Sequence, residues 1–119
     1  MVVRRMKTYS AESGFVYQYY FLESRPRRRL WRLTGTAFLF NVSSDRKTSF
    51  VAEVMVEESA LEVWQKSHGR ALVDTEKYAA AKMRLFRAFD ESGRPEELQN
   101  VRVDESNIES LLEPLHLDE

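Results

Sequence analysis

The sequence has no cysteine. That excludes disulfides, thiol catalysis and thiolate metal sites, and it fits a reducing compartment. Histidine is almost as scarce: only His68 and His116 occur, and neither has a pair of carboxylates at ligand spacing beside it in sequence. No metal site is expected on that count. No stretch reaches the ~20 apolar residues that cross a membrane. Residues 1–6 carry charge without an apolar block behind them, which is not the pattern of a signal peptide. A glycine-rich phosphate loop, a serine elbow and a spaced acid pair are all missing. The chain therefore reads as cytoplasmic and non-enzymatic, with no catalytic residue, no cofactor and no membrane partner.

What remains is a composition that is 43% apolar and 31% charged over 119 residues. That is one soluble domain, long enough to bury a core without covalent staples. The net charge of −1 hides a division. Residues 1–50 hold ten Lys/Arg and three Asp/Glu, whereas residues 90–119 hold ten acids and two arginines. A basic first half and an acidic end can attract each other, or each can attract an outside partner.

Three apolar runs, 14–23, 33–42 and 48–56, are separated by the charged breaks 24–32 and 43–47. Aromatic and β-branched residues dominate them, which suits strands. In the first run Phe15, Tyr17, Tyr19 and Phe21 share one face, while Val16, Gln18, Tyr20 and Leu22 share the other. Both faces are largely apolar. One is expected to meet helices, and the other a second subunit or the tail; Phe15, Tyr17, Tyr19 and Phe21 are the candidates for self-association. In the second run Thr36, Phe38, Phe40 and Val42 align, with Gly35 marking a bulge or a close backbone approach. Pro26 is expected to stop pairing, leaving 24–32 as an exposed connection.

After residue 56 the period changes. Ser59 and Glu62 have capping-box spacing, Leu61, Trp64 and His68 follow on one stripe, and Gly69 is placed to end the helix. A second helix is predicted over 76–91, capped by Asp74 or Thr75, with Tyr78, Ala81, Leu85, Ala88 and Phe89 on its apolar stripe. Residues 1–13 read as a loose basic arm, 14–93 as the domain and 94–119 as an acidic tail. Within the tail Ile108, Leu111, Leu112 and Leu115 fall at helical spacing, so a short amphipathic helix docks there or the tail is disordered. The fold class is α+β: a three-stranded antiparallel meander followed by two helices packed on one face.

Arg25, Arg27, Arg28, Arg29, Trp31 and Arg32 form the principal candidate site. Arginine forks pair with phosphate or carboxylate, and an indole stacks on a base. The bland alternative is a solvated loop, or one neutralised by the acidic tail through its leucines. The reading that follows is a small binding or regulatory module acting through protein contacts, as a homodimer. The alternative is a nucleic-acid-associated protein using residues 25–32, and a weaker one is a small-molecule site between sheet and helices.

Overall fold

The structure, a computed structural model, describes residues 5–118. Its architecture is α+β: one five-stranded mixed sheet with helices on one face. The strands are β1 (Lys7–Ser10), β2 (Val16–Arg29), β3 (Arg32–Ser43), β4 (Phe50–Glu57) and β5 (Asn100–Val103), in spatial order 1-2-3-4-5. The first four are antiparallel, and β5 lies parallel to β4. Helices α1 (Glu58–His68) and α2 (Asp74–Glu91) make the crossover between β4 and β5, and α3 (Ile108–Leu112) follows.

The meander expected from the three apolar runs is present as β2, β3 and β4, but a strand is added at each edge. Residues 7–10, expected within a loose arm, pair with residues 16–19 of β2. Tyr9 explains why they are held. Its ring stacks on Phe86 of α2 at 4.3 Å, and its hydroxyl donates to Asp90 Oδ2 at 2.8 Å. Asp90 also accepts the Glu12 N–H at 3.0 Å, and the Ser13 hydroxyl donates to the Phe89 carbonyl at 2.6 Å. Burial and the bond to Asp90 push the Tyr9 phenol up to about 12. Residues 1–4 of the expected arm lie outside the described residues.

The core lies between the sheet and the helices. Tyr17 and Tyr19 of β2, Phe38, Phe40 and Val42 of β3, and Ala52, Val54 and Val56 of β4 face it. Ala80, Ala81, Leu85, Ala88 and Phe89 of α2 cover them, and the small side chains of Ala80 and Ala81 let the helix close on the sheet. Trp64 of α1, 1% exposed, fills one end. Tyr17 and Tyr19 are thus buried, and Phe15 and Phe21 pack partly against the same core. The face expected to mediate self-association is the face that α2 occupies. The aromatic run offers no periodicity clue as to which of its two apolar faces turns inward.

The acidic tail is likewise part of the domain. Leu98, Val103, Ile108, Leu111 and Leu112 are all buried in the core. Fully burying such side chains stabilises the fold by roughly 1.5–3 kcal/mol each. Leu115, the fourth residue expected to dock, is exposed. The capping also differs from expectation. Glu57, not Ser59, precedes α1, without a side-chain bond. Val73 precedes α2, and its N–H donates to Glu76 Oε1 at 2.9 Å. Gly69 ends α1 in the left-handed region at φ 74, its N–H bonding the Gln65 carbonyl, as its position implied.

Candidate functional site

The charged segment 24–32 is not a loop. It is most of a two-stranded ribbon in which β2 and β3 pair down to Arg29 opposite Arg32, leaving only Leu30 and Trp31 in the turn. Pro26, expected to interrupt pairing, sits opposite Thr36. The reason is position. Among the described residues β1 pairs with β2 only as far as Tyr19, so Pro26 lies on an edge of the sheet, where a missing N–H is tolerated.

Two register shifts shape the ribbon. The first, between Phe21 and Glu23, inserts Leu22 as an extra residue; the second falls between Arg27 and Arg28. Gly35, opposite Arg27, is the close approach expected of it. A Cβ there would lie 2.6 Å from the Val56 carbonyl oxygen. The last pair between β3 and β4 joins Gly35 to Glu57, so the ribbon extends past the end of β4. Because α1 starts directly after β4, its first turn lies beside the ribbon tip. A cleft of about 520 Å³ separates them, lined by Arg29, Trp31 and Arg32 on one side and Glu58, Ser59 and Glu62 on the other.

The six candidate residues divide into two groups. Arg25 is paired with Glu23, and Arg27 with Glu53 at 2.6 Å, so their charge is answered within the sheet. Arg28, Arg29 and Arg32 form no ion pair among the described residues, and Trp31 is 85% exposed. Sequence reasoning missed Leu30. It is 91% exposed and adopts φ 58, in the left-handed region. A side chain with a Cβ is strained there by roughly 1–2 kcal/mol relative to glycine. The fold gains nothing from that leucine, because its side chain touches almost nothing.

Among the described residues no carboxylate of the tail forms an ion pair with an arginine of this ribbon. Glu109 and Asp118 meet the far end of α1 instead. His68 stacks on Trp64 with ring centroids 4.0 Å apart and planes 12° from parallel. Its Nε2 lies 2.6 Å from Glu109, and its Nδ1 contacts Asp118. The carboxylate pair that the sequence lacks near His68 is thus supplied from 41 and 50 residues away. These two acids favour the imidazolium and raise the His68 pKa, with the bond to Asp118 the largest cause. Beside it Arg70 holds Glu76 through two bonds of 2.8–2.9 Å and lies over the Trp64 ring. That pairing, with the Val73 N–H, lowers Glu76 to about 2. Among the described residues no group of His, Asp and Glu could hold a metal ion.

A second cleft, of about 380 Å³, opens where α2 begins. Phe21, Phe38 and Tyr78 form its floor, with Ser24, Thr36 and Lys77 on its rim. Lys82, one turn on from Tyr78, lays its ammonium 5.7 Å from the Phe86 ring, and burial with the neighbouring Lys7 pushes its pKa down.

No protein-family model matches the chain, and no curated protein or solved structure matches it either. Among the described residues no helix is long and apolar enough to cross a membrane.

Proposed function

We propose that this protein is a non-catalytic binding module that engages a partner protein through the tip of the β2–β3 ribbon. Leu30 carries the reading: an apolar side chain held in strained backbone and almost wholly in water has no role in folding. Trp31 beside it and the unpaired Arg28, Arg29 and Arg32 are of the residue types that dominate interface energetics. Three arginines favour a partner with an acidic patch around an apolar pocket. The test is affinity capture from the source cells with wild type and with Leu30→Ser combined with Trp31→Ser. A partner held by the wild type and lost by the variant, with both proteins melting alike, is expected. Equal capture by both would remove the ribbon from the reading.

The nucleic-acid reading draws on the same tip, because Trp31 stands between Arg29 and Arg32. Trp31 emission measured during titration with a single-stranded oligonucleotide at two salt concentrations tests it. Quenching that weakens steeply with salt supports it. The homodimer is a separate proposal and needs a separate surface. With Tyr17 and Tyr19 buried, a second copy would meet the sheet's other face, where Val16 and Val51 are about half exposed beside Tyr20 and Leu22. Sedimentation should then give twice the monomer mass, and Val16→Lys with Val51→Glu should halve it.

A further inference from the structure

We propose that His68 is a pH-sensitive clasp: its charged ring holds residues 116–118 against the end of α1, and its neutral ring releases them.

The geometry demands the charge. A neutral imidazole has one N–H donor and one lone-pair acceptor, whereas imidazolium has two donors. Here both ring nitrogens face carboxylates, Glu109 at Nε2 and Asp118 at Nδ1. A carboxylate accepts and cannot donate unless protonated. Loss of the ring proton therefore sets a lone pair against one of the two acids, and that contact is lost. The ring cannot turn away at no cost, because it is stacked on Trp64.

Glu109 and Asp118 are not equally tethered. Glu109 lies in α3, whose Ile108, Leu111 and Leu112 are buried, so it stays in place. Asp118 lies beyond the last helical turn, which ends at Leu115. Besides the clasp, that stretch is held at Leu117, partly packed on the core and bonded through its carbonyl to the Arg70 guanidinium at 3.4 Å, and at His116, whose N–H donates to the Glu113 carbonyl at 3.2 Å. Of the two acids, Asp118 is therefore the one on the less deeply anchored segment. With the clasp closed, His116, Leu117 and Asp118 wall a groove of about 210 Å³ against Trp64 and Leu112, and their departure would widen it.

Of the other charged groups around His68, Arg70 holds the segment in either state, through the Leu117 carbonyl and its attraction to Asp118, so release is partial. Glu113 and His116 line the same groove. Arg70, on the side of α2, is already committed to Glu76. Both acids raise the pKa of His68 above its ordinary 6.5. A group raised in this way contributes fully below its unfolded value, and the contribution is lost as pH rises through the folded value. The clasp is fully closed from the carboxylate range, roughly pH 4, up to the ordinary imidazole value of about 6.5, and opens as pH rises through the raised value.

The test uses the full chain with Trp31→Phe, so that Trp64 is the only indole. A charged imidazole quenches a stacked indole more than a neutral one does. Trp64 emission should rise in one step with its midpoint above 6.5, and the His68 carbon shifts in NMR should titrate at the same pH. Amide exchange of residues 116–118, corrected for its intrinsic pH dependence, should accelerate several-fold across that step. Asp118→Asn and Glu109→Gln should each move the midpoint down. The proposal is overturned by a midpoint at or below 6.5. It is also overturned by a midpoint that the Asp118→Asn and Glu109→Gln double variant leaves in place, or by exchange at 116–118 that shows no step.

Discussion

The arginine ribbon and the acidic C-terminal segment are the two most charged regions of this chain, and they have opposite fates. The ribbon extends past the end of β4 into water, with Leu30 and Trp31 at its tip. The C-terminal segment folds into the core, with Ile108, Leu111 and Leu112 buried. Charge does not separate them. The spacing of the apolar residues does. In the C-terminal segment they fall at 108, 111 and 112, so one helical face carries all three inward while the acids stay in solvent. In the ribbon the two apolar residues are adjacent and sit in a two-residue turn, where no neighbouring element can cover them. Mutual attraction of the two regions, natural to expect from their signs, is outweighed because exposed ion pairs contribute only ~0–1 kcal/mol each.

Substitutions at either end test the contrast. Leu111→Ala should cost roughly 2–5 kcal/mol in urea melts, and Trp64→Ala roughly 3–5 kcal/mol, because each leaves a cavity under the helical layer. Deleting residues 104–119 should abolish cooperative melting for the same reason; a truncated chain that melts like the full one would make the segment an appendage after all. At the base of the ribbon, Gly35→Ala should cost about 1–3 kcal/mol, since the added carbon meets the Val56 carbonyl and neither strand can easily move.

A smaller effect belongs to Glu76, which joins α2 to Arg70. Its carboxyl is lowered to about 2 from an unfolded value of 4.5. Its contribution is present above 4.5 and is lost as pH falls toward 2. Glu76→Gln should therefore flatten the acid limb of a stability-against-pH curve while changing little at its alkaline limb. At the ribbon tip the expected sign reverses. Leu30→Gly should stabilise by up to about 1 kcal/mol by relieving the left-handed leucine. Trp31→Ala should stay within about 0.5 kcal/mol of wild type. A marked loss of stability in either would mean that the tip is part of the core's support.

Much of the sheet was legible in the sequence because Phe38, Phe40 and Val42 alternate against Ala52, Val54 and Val56, and strands with one buried face announce themselves in this way. The edge strands did not. In β1 a single aromatic, Tyr9, carries the packing, and its partners Phe86 and Asp90 lie some eighty residues away. In β5 the alternation spans only Asn-Val-Arg-Val inside a charged stretch. Pro26 was legible as an interruption, but whether a proline interrupts depends on whether another strand lies alongside, which is a tertiary fact. The arginines of the candidate site were visible as residue types. Which of them are unpaired was not, since Glu53 reaches Arg27 from two strands away. The carboxylates at His68 were invisible for the same reason.

The parallel pairing of β4 with β5 has a consequence for the order in which the molecule is made. Strands β2, β3 and β4 close through short connections, so they form early at little cost in loop entropy. Strand β5 can join only after both helices have been laid down, because its register sets Asn100 against Glu53 across the whole crossover. Until then β4 presents an open edge, and the floor of the core is only partly roofed. A chain whose residues 100–103 are not yet free to pair thus carries a four-stranded sheet with the β4 edge open. Its aggregation hazard is concentrated in that interval.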